Sequence, residues 1–357
     1  MILRENVPLA PLTTLKVGGP ARYFVEAESG EEIVSTLDYA ASRQLPLFVL
    51  GGGSNLVVSD RGWPGLVLKI SVKGIESYPE SGKSFFRVAA GEDWDPFVAF
   101  AVAQNCSGIE CLSGIPGATG GTPVQNVGAY GQEVSQTIAS VDVVDRATGQ
   151  GSTLSNQECH FAYRSSIFNA SAAPRWIVTS VTFRLQPEGA PLLQYADLKA
   201  WFAGWKTPPT LGETRDAVRK IRLSKAMLIV PGDDDCRSAG SFFKNPVLSE
   251  DDLTALRQRH AGFTSDAGPP AYPAGDGKVK VSAAWLVERA GFSKGLARGP
   301  VGISSRHSLA IVNRGGATAA DIIALQNEIE NGVYEKFGVS LKAEPVFVGF
   351  DPISLSG

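Results

Sequence analysis

The 357-residue sequence predicts an α+β protein of two or three domains. Three observations carry that expectation. Residues 29–58 read as helix, strand, glycine turn and strand, the pattern of a small α/β unit. Residues 85–185 contain several runs of alternating polarity, the pattern of an antiparallel sheet. Between the first two of these runs lies Cys111–Glu133, CLSGIPGATGGTPVQNVGAYGQE, which fits neither helix nor strand because its glycines weaken both and Pro116 and Pro123 interrupt either. Apolar Ile115, Val124, Val127 and Tyr130 argue that this loop is ordered, and a long ordered loop rich in glycine brings backbone close to a large ligand, an anion best of all.

Composition narrows the function classes. Hydrophobic residues make up 43% and charged residues 19%, the balance of an ordinary globular protein. The net charge of −3 includes no basic run, so nucleic-acid binding is not expected. The first residues, MILRENVPLAPLTTL, lack a basic start followed by an apolar core, and no apolar run reaches the roughly 20 residues of a membrane helix. Cys106, Cys111, Cys159 and Cys236 show no metal-type spacing, and a chain of this length needs no disulfide staples. A cytoplasmic location is the expectation.

Taken in order, Ser29-Gly30-Glu31-Glu32 reads as a capping box, with Ile33, Val34, Leu37 and Ala40 on a helical period. Strand Leu47–Leu50 runs into Gly51-Gly52-Gly53-Ser54-Asn55, which is either a tight turn or a phosphate cradle with two side-chain donors. Leu56–Val58 and Leu66–Leu68 are expected to continue that unit. Phe85–Ala89 alternates as a strand, and Asp95 is expected to cap a helix with Pro96 in its first turn, ending near Gly108. Val141–Asp145 and Ser152–Leu154 read as a hairpin, and Trp176–Leu185 as a further strand. Between them Arg164, bracketed by Phe161, Tyr163 and Phe168, is either an anion-recognising cation or an ordinary surface arginine. Residues 187–209 have no firm period and read as a linker, a lid or a short helix.

Thr210–Glu213 caps a helix that ends among Arg219, Lys220, Arg222 and Lys225, cations that either complement the helix C-terminus or line a ligand entry. Gly240–Pro246 places Ser241, Lys244 and Asn245 among aromatics. A helix over Ala283–Ala290, a strand at Leu309–Val312 and a last helix from Thr318 to Gly338 follow, then an expected strand over Leu341–Phe350 that carries Glu344 in an apolar run. Neither G-x-G-x-x-G nor a P-loop is present, and His160, His260 and His307 have no metal-type spacing, so no metal is expected. Two separate glycine loops, 51–55 and 114–121, suggest a dinucleotide pyrophosphate held by backbone. The residues alone therefore reach a nucleotide- or dinucleotide-binding enzyme.

The motifs Thr13–Pro20 (TTLKVGGP), 51–55 (GGGSN), 113–131 (SGIPGATGGTPVQNVGAYG), 163–168 (YRSSIF), 240–246 (GSFFKNP), the Y-P-x-x-D-G-x-V-K pattern of 272–280 and Glu344 together resemble the UDP-N-acetylenolpyruvoylglucosamine reductase (MurB) family, flavoenzymes of peptidoglycan precursor synthesis. Leu193–Leu198 (LQYADL) is similar to the tyrosine loop of that family's larger type. The usual terminal E-P-E-V departs to Lys342-Ala343-Glu344-Pro345 here, and only Glu344 keeps the acid.

The resemblance implies an α+β fold made of a two-part FAD-binding region of the vanillyl-alcohol-oxidase type and a separate α+β substrate-binding domain. The implied bounds are 1–70 and 71–209 for the FAD region, 210–338 for the substrate domain, and 339–357 for a tail returning to the FAD region with Glu344. It implies non-covalent FAD, NADPH as hydride donor, and reduction of UDP-N-acetylglucosamine enolpyruvate to UDP-N-acetylmuramate by a monomer. Catalysis is implied for Arg164, Ser241 and Glu344: Arg164 and Glu344 flank the substrate carboxylate, and Ser241 delivers a proton to C2. A serine hydroxyl is a weak acid, so that role needs a hydrogen-bonded relay or a neighbouring cation, for which Lys244 and Glu344 are the candidates. Cofactor contacts are implied for Gly51, Gly52, Gly53, Ser54, Asn55, Ser113, Gly114, Ile115, Pro116, Gly117, Thr119, Gly120, Gly121, Thr122, Gln125, Asn126 and Gly128. Tyr163, Tyr195, Lys225, Lys244, Asn245, Tyr272, Lys280 and His307 fall at positions that contact the UDP-sugar or NADPH. The rival readings are a carbohydrate or alcohol oxidase with tethered flavin, and a non-catalytic nucleotide-binding regulator.

Overall fold

The computed structural model describes residues 1–171, 174–261, 268–275 and 277–350, the side chains of 260 and 261 excepted. The chain divides into two compact units. The first comprises Met1–Val7, Ala21–Gly53 and Pro64–Leu228; the second comprises Pro8–Pro20, Ser54–Trp63 and the chain from Ile229 onward.

Among the described residues the first unit holds two larger sheets and a two-stranded ribbon, Gly128–Ala129 with Gln132–Glu133. One has the strand order Leu3–Pro8, Pro20–Ala27, Trp63–Ile70, Leu47–Leu50, and its last two strands are parallel, with Leu47 opposite Leu66 and Val49 opposite Leu68. Helix Gly30–Ser42 covers it with Ile33, Thr36, Leu37 and Ala40, the three-and-four spacing that puts residues on one helix face. Ser29 caps that helix by accepting the Glu32 N–H, but the Glu32 carboxylate reaches the Glu28 N–H instead of closing the expected reciprocal box. The second sheet is antiparallel, ordered Gly151–Ser155, Ile138–Asp145, Trp176–Pro187, Lys83–Ala89, Ile75–Glu80. Helix Trp94–Ala103 buries Trp94, Phe97, Val98 and Ala101. Its N-cap position is Asp93, so the cap expected at Asp95 falls two residues earlier, and Asp95 is left for another role.

Residues 1–70 and 71–209 share a core in which Val25, Ile33 and Leu66 pack with Phe86, Trp94, Phe97 and Phe183. The first compact unit extends to Leu228. Helix Leu211–Ser224 turns Ala217, Val218 and Ile221 onto Cys111, Tyr130, Leu198 and Phe202, and this shared apolar burial ties it to the first unit. Its Thr210–Glu213 capping box is formed as expected.

In the second unit, helix Ala319–Phe337 packs Ile322, Leu325, Ile329 and Val333 inward. Thr318 and Asp321 close a capping box at its start, and Gly338 ends it at φ 69°, a left-handed cap that favours glycine. Two three-stranded antiparallel sheets accompany it: Val247–Ser249, Lys278–Val281 and Ala271–Pro273 in one, and Ala297–Arg298, Val301–Ile303 and Ile311–Asn313 in the other. Leu15, Val17 and Val57 lie in this unit's core beside Phe242, Leu286 and Ile303. The tail forms a strand only over Val346–Val348, which pairs in parallel with Leu56–Val58. Leu56–Val58 therefore belongs with the tail, not with the N-terminal α/β unit. A three-residue apolar run carries no signal of its pairing partner, and tertiary contacts decide it. Residue 276 of the Tyr272–Lys280 motif and the tail beyond 350 lie outside the described residues.

Candidate active site

In the first unit the two glycine loops meet backbone to backbone. Gly51–Gly53 leaves the C-terminal end of strand Leu47–Leu50, where α/β sheets present ligand crevices. A Cβ placed on Gly52 would lie 2.5 Å from both Ala118 N and Gly117 Cα, so the two loops can approach only because residue 52 has no side chain. Gly120 is pressed in the same way against Ala90. Gly51 and Gly121 differ: a Cβ on either would meet nothing within 4 Å, so both present bare backbone to open space. The Thr119 hydroxyl is buried without a hydrogen-bond partner among the described residues. A bare glycine surface with an unanswered buried hydroxyl beside it fits the pyrophosphate of a dinucleotide.

Several amides expected to face the phosphates are spent inside the protein. The Gly114 N–H donates to Asp95 Oδ1 at 2.6 Å, Thr119 to the Glu92 carbonyl, Gly120 to Ala90 and Gly121 to Ala118. The Ser113 and Thr122 hydroxyls likewise donate to the carbonyls of Glu110 and Thr119. These internal bonds set the shape of the loop. Asp95, expected as a cap, is a clasp: it also receives Arg215 at 2.6 Å and Arg219, both from helix Leu211–Ser224. Burial alone would raise its pKa, but Arg215, the Gly114 N–H and Arg219 outweigh that and hold the carboxyl below its usual value.

The second half of the stretch builds the seat of Arg164. Asn126 donates to Glu133 at 2.9 Å and to the Ala162 carbonyl at 3.1 Å, while its own amide oxygen accepts the Ser135 N–H. Ser166 Oγ donates to the Val124 carbonyl at 2.7 Å. Ala162 and Ser165 close a tight turn by exchanging backbone hydrogen bonds, with Arg164 at φ 54°, a conformation that side chains rarely adopt and that clusters at functional sites. Arg164 Nη2 donates to the Gly128 carbonyl at 3.0 Å, and its guanidinium lies 5.5 Å from the Tyr163 ring centroid. Arg164 is thus tied to the glycine stretch 36 residues away.

Residues 187–209 contain a short helix, Ala196–Phe202, with Tyr195 at its N-cap position. Tyr195 meets Tyr130 edge-on at 5.3 Å between centroids. Lys225 pairs with Asp197 at 2.5 Å, and the Arg222 guanidinium turns inward to the Met227 carbonyl. Arg222 and Lys225 thus each have a specific partner.

Reading the sequence missed Glu110, which is fully buried at the start of the glycine stretch. Its carboxylate accepts the Gly108 N–H, the Gln132 amide at 2.9 Å and the Leu192 N–H at 2.9 Å. Cys111 reinforces the link, its N–H donating to Gln132 and its thiol to the Leu192 carbonyl. The root of the segment that carries Tyr195 is thereby fastened to the loop. An acid bordering an otherwise uncharged glycine run was the available signal.

The second unit gathers Ser241, His307 and Glu344. Ser241 Oγ lies 3.1 Å from His307 Nε2. The Glu344 N–H donates to the Phe242 carbonyl and the Lys244 N–H to the Lys342 carbonyl, so the Ser241 and Glu344 segments run side by side. Asn55, counted with the glycine turn in the sequence, lies in this unit: its side chain donates to the Glu344 carbonyl at 3.3 Å and its own carbonyl accepts the Val346 N–H. Thr14, from the TTLKVGGP motif, bonds the carbonyls of both Ser54 and Ser238. Asn245 Oδ1 accepts the Ala283 N–H at a helix start. Tyr272 and Lys280 stand directly opposite each other in one antiparallel ladder, where facing side chains are neighbours. Among the described residues no group of three His, Cys, Asp or Glu side chains is arranged to hold a metal.

An α/β and antiparallel unit with a glycine cradle, accompanied by a second α+β unit, fits a dinucleotide-binding protein, and a match over residues 21–155 makes it an FAD-binding flavoprotein. Residues 21–155 match the FAD-binding domain family, and residues 231–348 match the family described as UDP-N-acetylenolpyruvoylglucosamine reductase, C-terminal domain. The chain is 49% identical over 352 residues to the UDP-N-acetylenolpyruvoylglucosamine reductase of Thermobifida fusca, covering 97% of this chain and 98% of that protein. It is 45% identical over 352 residues to the Streptomyces coelicolor enzyme, covering 97% and 90% respectively. Among solved structures, that of the Thermus caldophilus enzyme superposes with a TM-score of 0.66 at 27% identity, covering 97% of this chain and all of that one. The chain belongs to the UDP-N-acetylenolpyruvoylglucosamine reductase family.

Proposed function

We propose that this protein reduces UDP-N-acetylglucosamine enolpyruvate to UDP-N-acetylmuramate with NADPH, supplying peptidoglycan synthesis. The observation that carries this reading is family membership over 97% of the chain, in a protein whose two glycine loops form a cradle fitted to FAD. Held against the glycine surface of Gly51 and Gly121 beside the Thr119 hydroxyl, FAD would supply the hydride carrier between NADPH and C3 of the enolpyruvyl group.

The rest of the chemistry falls to side chains. Negative charge develops at C2 and on the substrate carboxylate. Arg164, held in a strained turn against Gly128, presents a fixed guanidinium to that charge. A preorganised cation of this kind is worth about 100- to 1,000-fold in rate. Glu344 acts with it at the carboxylate, its backbone fixed by Phe242 and Asn55. Ser241 gives C2 its proton.

Gly51–Asn55, Ser113–Gly117, Thr119–Thr122, Gln125, Asn126 and Gly128 form or support the FAD surface. Tyr163, Tyr195, Lys225, Lys244, Asn245, Tyr272, Lys280 and His307 bind the UDP-sugar or NADPH. Tyr195 belongs to a tyrosine loop that covers the diphosphate; its support is the exposed ring resting edge-on against Tyr130, with Lys225 and Asp197 beside it. The substrate-binding domain is the second unit, Pro8–Pro20 and Ser54–Trp63 with the chain from Ile229 onward. The protein works as a cytoplasmic monomer on small molecules, without nucleic acid or membrane; no described helix is long and apolar enough to cross a bilayer.

The test is steady-state NADPH oxidation with UDP-N-acetylglucosamine enolpyruvate as the only acceptor. Turnover with release of UDP-N-acetylmuramate is expected, and the flavin should leave the polypeptide on denaturation. A flavin that stays attached, together with NADPH oxidation indifferent to the UDP-sugar, would point to the oxidase reading instead.

A further inference from the structure

We propose that His307 is a positioning residue for Ser241, donating a hydrogen bond from Nε2–H to Oγ so that the single hydroxyl proton of Ser241 is kept for C2 of the substrate. The inference rests on the reading of Ser241 as proton donor. It replaces Lys244 and Glu344, the relay partners the sequence suggested, with a residue 66 positions away that the fold brings to 3.1 Å.

The direction of this hydrogen bond follows from donor counting. A serine hydroxyl has one proton and two lone pairs. If the imidazole nitrogen accepted, that proton would point at His307 and could not reach carbon. If Nε2 carries the hydrogen, it occupies a lone pair of Oγ and leaves O–H directed elsewhere. The same N–H then faces the oxygen at the moment its proton departs. The O–H bond of Ser241 breaks as the C2–H bond forms, C2 supplying the electron pair. The negative charge left on Oγ is held by Nε2–H until a proton from solvent restores the hydroxyl, which is the one proton the overall reduction consumes besides the hydride.

The surrounding side chains are built to hold His307 still. Asp235 Oδ2 accepts the Ser304 hydroxyl at 3.1 Å, the Ser305 N–H at 3.0 Å and the Ser305 hydroxyl at 2.6 Å. Arg306, the neighbour of His307, is paired with Asp233 and lies 3.5 Å from Asp235. The Ser304 hydroxyl also accepts the Arg306 N–H at 3.1 Å. Six polar contacts thus pin Ser304, Ser305 and Arg306, the residues that lead directly into His307. On the other side Ser241 is fixed through Phe242, whose N–H donates to the Leu309 carbonyl and whose carbonyl accepts the Glu344 N–H. A hydroxyl and an imidazole are held at hydrogen-bond distance by networks that both would retain without ligand, as a preorganised proton donor requires.

The experiment follows anaerobic reoxidation of the NADPH-reduced holoenzyme by UDP-N-acetylglucosamine enolpyruvate in a stopped-flow instrument. Wild type, Ser241→Ala, His307→Ala, His307→Gln and the Ser241→Ala/His307→Ala double variant are compared, with flavin content recorded for each. For His307→Ala the limiting rate at saturating substrate should fall about 100- to 1,000-fold, as expected for loss of one donor to a developing oxyanion. Its solvent deuterium isotope effect should increase. His307→Gln, which keeps an amide donor, should recover to within roughly fivefold of wild type. The double variant should be no slower than Ser241→Ala. A His307→Ala enzyme that raises only the apparent substrate dissociation constant, with its limiting rate unchanged, overturns the inference and leaves His307 with its ligand contact alone. A His307→Ala effect that persists in full on the Ser241→Ala background overturns it as well. If Ser241→Ala itself leaves the limiting rate unchanged, the underlying reading of Ser241 fails, an outcome distinct from failure at His307 alone.

Discussion

Substituting Gly52 by alanine separates the two jobs of the glycine cradle. The added methyl would lie 2.5 Å from Gly117 Cα and from Ala118 N and 2.7 Å from Gly117 C. All three are backbone atoms, so no side chain can rotate away, and one loop must shift. Overpacking of this kind costs about 1–3 kcal/mol. Carried into flavin affinity, that is a 5- to 150-fold weaker dissociation constant, roughly. Carried into the apoprotein, it lowers the melting temperature by about 2–4 °C for each kcal/mol. Gly51→Ala and Gly121→Ala are the comparison, because their methyl groups meet no protein atom within 4 Å. Their apoproteins should melt like the parent, and any loss of flavin must arise from the ligand itself. The assay is FAD titration of apoprotein followed by fluorescence, alongside thermal melts. The reasoning predicts that Gly52→Ala loses both stability and affinity and that Gly51→Ala loses affinity alone. A Gly52→Ala protein with parental melting and a dissociation constant within about twofold of wild type would refute the claim that the loops touch.

Three further outcomes follow from buried groups. Glu110→Gln leaves an amide N–H₂ among the Gly108, Gln132 and Leu192 donors, so the melting temperature should drop by the equivalent of about 1–3 kcal/mol and the KM for the UDP-sugar should rise more than kcat falls; unchanged melting and KM would show that the carboxylate does not anchor the Leu192 root. Asp95, held below its ordinary value of 3.8, contributes stability that is complete above that value and is lost as pH falls through its lowered one, so the stability gap between wild type and Asp95→Asn should be flat above about pH 5 and close in acid; a gap that widens in acid would reverse the assigned sign. Burial raises the Cys111 thiol, and the Cys159 thiol is pushed up to about 12, so neither should react with iodoacetamide in the native protein at neutral pH, as mass spectrometry of alkylated peptides can check.

Local chemistry made part of this molecule legible in its sequence. Thr210 and Thr318 announced their helices because a capping box is contained in four residues, and Gly338 ended one because the left-handed cap needs glycine. The glycine stretch was legible as an ordered loop for the same local reason. Asp95 was misplaced because Asp93 and Asp95 are both able to cap, and only the fold shows Arg215 and Arg219 arriving from 120 and 124 residues away to claim the second. Leu56–Val58 was assigned to the wrong sheet because its partner, Val346–Val348, lies at the other end of the chain. The contact between Ser241 and His307 has no sequence signature at all, since neither residue sits in a motif whose spacing implies the other. In this chain, what a few neighbouring residues determine could be read, and what long-range packing determines could not.

The central claim is that reduced enzyme gives its electrons to an enolpyruvyl UDP-sugar. The most direct measurement mixes anaerobic, NADPH-reduced protein with one equivalent of UDP-N-acetylglucosamine enolpyruvate and follows the flavin absorbance. Rapid return of the oxidised spectrum and one equivalent of UDP-N-acetylmuramate are expected. A flavin that NADPH reduces but this substrate leaves reduced would contradict the claim.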